Sequence, residues 1–183
     1  MTGKSAYCMR RLLLFRHAKA ERGAPGTSDK ARELTPDGRD DAANMGRYMT
    51  RHRFTPDAVL VSPSARTRET WDAMRPSVGQ AVGPNFDDRI YDATAQALLA
   101  VLKGAPADAS TLMMIGHNPG MHELAVLLTA TGDIDTRERL REKFPTSALA
   151  VFDFALESWS DLHPRSGRLE RFVSPKTITA ATN

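Results

Sequence analysis

The sequence predicts one α/β domain, a three-layer α/β/α sandwich around a mostly parallel central sheet. Two observations predict it. Short apolar runs at Leu12–Phe15, Ala58–Val61 and Thr111–Ile115 have the length of strands and no polar alternation, the pattern of strands covered on both faces. Between them lie longer stretches whose apolar residues recur at helical spacing. The 183 residues suit a single domain, residues 1–183, with a core over about 11–175. Its 41% hydrophobic and 26% charged content is that of an ordinary globular chain.

The elements follow in order. Leu12–Phe15 is a buried strand with Arg16 and His17 at its carboxyl end. The polar segment from Ala20 to Glu33, with Gly23, Pro25 and Gly26, is a loop. Thr35-Pro36-Asp37-Gly38 opens a helix, with threonine as the cap and proline at the first position. Ala42, Met45 and Met49 form its apolar face. Ala58–Val61 is the second strand. Ser62-Pro63 closes it and starts a helix that carries Arg66, Thr67, Arg68, Thr70 and Trp71. A short edge strand is expected within Val78–Phe86, which is broken by Gly and Pro. Ala95, Leu98, Leu99 and Leu102 mark the next helix.

Thr111–Ile115 is the third buried strand, ended by Gly116-His117-Asn118-Pro119-Gly120. A helix through Leu124, Leu127 and Leu128 follows, and then a charged helical stretch at Arg137–Lys143. Strands at Ala148–Phe154 and Arg168–Val173 complete the chain. Three strands thus end in Arg-His, Ser-Pro and Gly-His. Ligands of open α/β sheets bind beyond the carboxyl ends of strands, so these polar motifs converge where chemistry is expected.

Composition narrows the classes. Cys8 is the only cysteine, which excludes an internal disulfide framework and a cysteine zinc site. A reducing, cytoplasmic setting is the simplest expectation. No apolar run approaches the length of a membrane span or a signal peptide, so no membrane partner is expected. A net charge of +3, with Lys4, Arg10, Arg11, Arg16 and Lys19 near the start, can steer phosphorylated substrates and can equally bind nucleic acid weakly, and an ordinary solvated surface is a plainer reading than a nucleic-acid footprint. Without an aromatic-interleaved basic stretch, a nucleic-acid partner is not expected.

Each strand-end motif alone is weak, because a lone Arg-His pair or a histidine after a strand is more often structural. Together, and in this order, they are specific. Leu-Leu-Phe-Arg-His-Ala-Lys-Ala at 13–20 resembles the signature of the histidine phosphatase superfamily, the phosphoglycerate-mutase-like fold. Asp29, Arg32, Leu34–Gly38, Ser62-Pro63 with Arg66 and Thr70, Tyr91-Asp92-Ala93, and the Gly-His-Asn-Pro at 116–119 extend the resemblance over nearly the whole chain. The short chain is similar to the SixA-like phosphohistidine phosphatases.

The resemblance implies a phosphatase in which His17 accepts the phosphoryl group and Arg16, Arg66 and His117 bind it. It implies a phosphorylated substrate, with a phosphohistidine protein as the expected partner, and leaves the oligomeric state open. The residue types fit this chemistry. A phosphoryl group in transfer spreads charge over three oxygens, and arginine offers a planar, permanently charged fork to hold them. The attacking imidazole must be neutral, and flanking arginines favour that form.

Asn118 and Lys19 are further candidates for substrate contact. For the proton donor Asp88 fits the family's spacing best and Asp92 is second; either could instead cap the helix near Thr94. Ala18 stands where the superfamily often has glycine, and alanine there would be strained if the position needs a positive φ.

Other chemistries find no support. Position 14 is leucine, so Cys8 lacks the arginine of a cysteine phosphatase loop, and Val126 breaks a His-Glu-x-x-His motif after His122. No third ligand joins His117 and His122 in a metal site. Neither a Gly-x-x-x-x-Gly-Lys loop nor a Gly-x-Gly-x-x-Gly turn occurs, so no cofactor is expected. Two alternatives to a phosphohistidine phosphatase remain at this level. One is a phosphatase or mutase for a small phosphorylated metabolite, with Lys19, Arg22 and Arg68 as added specificity groups. The other is a non-catalytic phosphate-binding adaptor, against which the presence of all four site residues argues.

Overall fold

The computed structural model describes residues 8–79 and 81–180. Lys4, counted above among the basic residues, lies outside them. Seven strands form one sheet: β1 (Met9–Arg16), β2 (Ala58–Val61), β3 (Pro84–Phe86), β4 (Thr111–Gly116), β5 (Thr129–Gly132), β6 (Leu149–Ala155) and β7 (Gly167–Val173). Their order is β3-β2-β4-β1-β6-β7-β5. The pairs β1–β4, β2–β4, β2–β3 and β5–β7 are parallel, and β6 runs antiparallel to both its neighbours.

Helices cover both faces: α1 (Pro36–Arg51), α2 (Ala65–Val78), α3 (Ala95–Lys103), α4 (Gly120–Leu128), α5 (Ile134–Glu142) and α6 (Pro175–Ala180). Alternate residues of β1 feed two separate cores. Leu13 and Phe15 pack with Met45 and Met49 of α1 and with Trp71 and Met74 of α2. Leu12 and Leu14 pack with Leu98 and Leu102 of α3 and with Met121 and Leu124 of α4. This double burial is why the strand reads as an unbroken apolar run. It also accounts for β6, whose residues 149–152 are all buried.

Most expected elements are present, and Thr35 caps α1 by accepting the Gly38 amide at 3.0 Å. Two were not foreseen. β5 follows α4 without a break, its Thr-Ala-Thr-Gly too short and polar to stand out, and α6 is a single short helix after β7. The helix near Thr94 is capped by Thr94 itself, which accepts the Ala97 amide at 3.2 Å. The capping alternative for Asp88 and Asp92 is therefore corrected: Asp92 occupies a left-handed turn at φ 50°.

Register aligns the functional ends. Arg16 pairs with Gly116, and Val61 and Phe15 both pair with Ile115. The next residues, His17, Ser62 and His117, therefore leave three adjacent strands at one level. Gly120 seats the helix that follows His117, because a Cβ there would run into the carbonyl of Ala93. Gly120→Ala should consequently lower stability by about 1–3 kcal/mol, overpacking outweighing alanine's helical preference. Chemical denaturation checks it: an unchanged midpoint would mean that α4 does not approach the Ala93 turn so closely.

Candidate functional site

His17 is built into the end of β1. Its backbone N–H donates to Gly116 O at 3.1 Å, continuing the parallel ladder. Its side chain folds back so that Nδ1 lies 2.7 Å from the carbonyl of Ala18. A carbonyl only accepts, so Nδ1 carries the ring proton and Nε2 keeps its lone pair. Ala18 itself is fully buried and is not among the residues with positive φ, so the alanine is unstrained. Its amide donates to Thr70 Oγ1 at 3.0 Å, and that hydroxyl donates to the Arg66 carbonyl at 2.6 Å. The nucleophile's neighbour is thereby tied to the turn of α2 that carries Arg66.

His117 stands beside it, with ring centroids 5.3 Å apart. Its Nε2 lies 2.6 Å from Ser62 Oγ. Among the described residues its buried Nδ1 has no hydrogen-bond partner, and neither has Arg16 Nε. Arg16 Nη1 donates to the Phe144 carbonyl at 2.8 Å, and Asn118 Nδ2 donates to the same carbonyl at 2.9 Å. Ser147 brings this loop to the strand end: at φ 59° its amide donates to the carbonyls of Arg16 and His17.

Arg66 is buried and reaches the pocket from α2. Nη1 donates to the Asp29 backbone carbonyl at 2.7 Å and Nη2 to Asp29 Oδ2 at 2.9 Å. Tyr91 completes this side, its hydroxyl donating to Asp29 Oδ2 at 2.6 Å and its ring meeting His117 edge-on at 5.5 Å.

The electrostatics follow from burial among guanidinium groups. Burial, above all, lowers His17 from 6.5 to about 4; the Ala18 carbonyl opposes this, and the charges of Arg66, Arg16 and Arg32 add to it. His117 falls to about 3, again chiefly through burial, then through His17 and Arg66, with Asp29 opposing. Both rings are neutral at pH 7. Asp29 is held well below the usual carboxylate range, first by the Tyr91 hydroxyl and then by Arg32 and Arg66, so it is ionised.

Of the residues expected from sequence, His17, His117, Arg16, Arg66 and Asn118 come together. Asp88 and Lys19 do not join them. Asp88 is an exposed carboxylate 3.6 Å from Lys30, and Lys19 is exposed at 3.7 Å from Asp37. Arg68 lies over the ring of Phe86 at 3.8 Å and donates to Pro63 O, and His122 Nε2 donates to the Leu140 carbonyl. The site roles that sequence reasoning missed belong to Asp29, Tyr91, Ser62 and the Phe144 carbonyl. The first three lie within the quoted motifs, so a signal existed, but none pointed to these contacts. A carbonyl leaves no mark in a sequence at all. Among the described residues no helix is long and apolar enough to cross a membrane.

Comparison with known proteins bears on the family and the fold. The family model of the histidine phosphatase superfamily (branch 1) matches residues 12–112. An uncharacterized protein of Mycobacterium tuberculosis is 31% identical over 164 residues, 88% of this chain and 100% of its own length. A candidate phosphohistidine phosphatase SixA from Nakamurella multipartitia superposes with a TM-score of 0.80 at 28% identity, covering 91% of this chain and 96% of that one. Its counterpart from Agrobacterium tumefaciens gives 0.75 at 30% identity, covering 91% and 98%. With its sheet order, its strand-end histidines and these matches in agreement, the chain belongs to the histidine phosphatase superfamily, branch 1, and within it is SixA-like.

Proposed function

We propose that this protein hydrolyses phosphohistidine on a protein substrate, through a phosphoryl intermediate on His17. The observation that carries the proposal is the bond from His17 Nδ1 to the Ala18 carbonyl, which leaves a neutral ring with its Nε2 lone pair free to attack.

In the first step Nε2 attacks phosphorus and a P–N bond to His17 forms. The bond to the substrate's ring nitrogen breaks, and its electron pair returns to that nitrogen. The departing imidazole leaves neutral when its other nitrogen already carries a proton. His17 becomes a phosphorylated imidazolium, its Nδ1–H still donating to the Ala18 carbonyl. In the second step water attacks phosphorus and the electron pair returns to Nε2. Inorganic phosphate leaves with the oxygen of water, and the water proton passes to the phosphate oxygens or to solvent.

Arg16 and Arg66 hold the phosphoryl oxygens through the transfer. His117 donates to them from Nδ1 while its Nε2 accepts the Ser62 hydroxyl proton. Asn118 acts by holding the Phe144 loop against Arg16. Lys19 instead lines a neighbouring groove of about 1120 Å³ together with Asp37, Asp41 and Lys143, and none of Arg16, His17, Arg66 and His117 lines it. Asp88, exposed and paired with Lys30, is poorly placed to protonate an ester oxygen, which weighs toward a substrate that brings its own ring proton. The likeness to the two SixA structures supports the same substrate class.

A panel of a phosphohistidine peptide, sugar phosphates and glycerate phosphates tests the substrate; faster turnover of the last two would overturn it. His17→Ala should abolish hydrolysis and the acid-labile label that radioactive substrate leaves on the wild type. Arg66→Ala should lower kcat about 10²–10³-fold.

The ring of His17 should also remain neutral, with the proton on Nδ1, as pH falls from 7 to 5. Protonation should follow only near pH 4, and nucleophilic activity should be lost through that same range because the charged ring has no lone pair to offer. Nitrogen-15 NMR of the histidine rings reads this directly; titration near 6.5 would contradict it.

A further inference from the structure

Asp29 is a carboxylate at the edge of a pocket built for an anion, and binding phosphate does not call for one there. It sits in a 3₁₀ turn, Asp29–Ala31, at the tip of the Ala20–Glu33 loop. The loop's base is closed by the bridge between Ala20 and Leu34 and by Glu21 N donating to Glu33 O at 2.8 Å. Arg32 secures the turn, its Nε donating to Glu21 O at 2.8 Å and its Nη1 to Asp29 Oδ1 at 3.0 Å. The carboxylate is therefore held in place, yet its side chain is 51% exposed toward incoming molecules.

Its hydrogen-bond inventory is incomplete. Oδ2 takes the Tyr91 hydroxyl and Arg66 Nη2, and Oδ1 takes Arg32 Nη1. A carboxylate offers about four acceptor positions, so Oδ1 retains one. Arg66 is shared between this carboxylate and the phosphoryl group proposed above. One hydrogen bond of about 2.9 Å to each partner from a single guanidinium puts Asp29 roughly 5–8 Å from a bound phosphoryl oxygen. The far nitrogen of a phosphorylated imidazole lies about 4–5 Å from those oxygens, so an acceptor one hydrogen bond beyond it falls at about 7 Å, within that range.

We propose that Asp29 is a specificity residue, which accepts the N–H on the far ring nitrogen of a phosphohistidine substrate and so holds its leaving group in the protonated form. The inference rests on the function proposed above and names how this site chooses that substrate. The bond balance is unchanged: the P–N electron pair returns to the near nitrogen while the far nitrogen keeps its proton and donates it in a hydrogen bond to Asp29. An ester has no such N–H to offer. A metabolite with a second anionic group beside its phosphate meets the same carboxylate and is repelled.

Kinetics of wild type and Asp29→Asn with a phosphohistidine peptide and with an aryl phosphate test it. Asparagine keeps the size of the side chain but removes the charge and puts an amide donor in the place of one acceptor oxygen. The ratio of kcat/KM for the peptide over that for the aryl phosphate should fall at least tenfold in the variant. A smaller fall, or loss of both reactions together, would show that Asp29 only positions Arg66 and would overturn the inference. A wild type that leaves the phosphohistidine peptide intact would overturn the proposed function and this inference with it. Failure at the variant alone would leave that function standing.

Discussion

The carbonyl of Ala18 holds the ring proton of His17, and nucleophilic attack by that ring depends on the arrangement. An imidazole has two nitrogens and one proton when neutral. Fixing the proton on Nδ1 is what makes Nε2 a nucleophile rather than a donor. The bond alone would not keep the ring neutral, because a carbonyl also favours the charged form. Burial and three nearby guanidinium groups override it and bring the ring down to about 4. Orientation and protonation state therefore come from different sources, one local to residues 17 and 18 and one supplied by the surrounding elements.

Those elements converge because the sheet is parallel at its centre. β2, β4 and β1 lie side by side and end together, so residues far apart in sequence leave at one level. The antiparallel β6 brings the start of its strand to the same edge. This is how the Phe144 carbonyl comes to hold Arg16 and Asn118, and how Ser147 reaches the carbonyls of Arg16 and His17. A wholly parallel sheet would have put the end of β6 there instead.

What sequence could show depended on the kind of signal. Leu12–Phe15 and Thr111–Ile115 were legible as strands because burial on both faces erases alternation. His17 and His117 were legible because each follows such a strand. β5 was not, since Thr-Ala-Thr-Gly carries neither apolar density nor a turn boundary. Asp29 was visible as a residue of a motif, but its contact with Arg66 spans two elements that only the fold brings together. Asp88 shows the converse. Its spacing matched a family position, yet spacing along a chain does not set the direction of a side chain, and this one points to Lys30 at the surface.

The site is made at a cost to stability in acid. His17 and His117 are neutral in the fold at pH values where free imidazoles charge, their folded values of about 4 and 3 lying below the 6.5 of an unfolded chain. Between those limits the unfolded state binds more protons than the folded one, so stability rises with pH across this window and is lost as pH falls through it. Asp29 works against part of that loss, since its ionised carboxylate favours a charge on His117. The carboxylate thus eases the concentration of positive charge needed to grip a phosphoryl group. Two guanidinium groups and a neutral nucleophile can share one pocket partly because a negative charge stands at its edge.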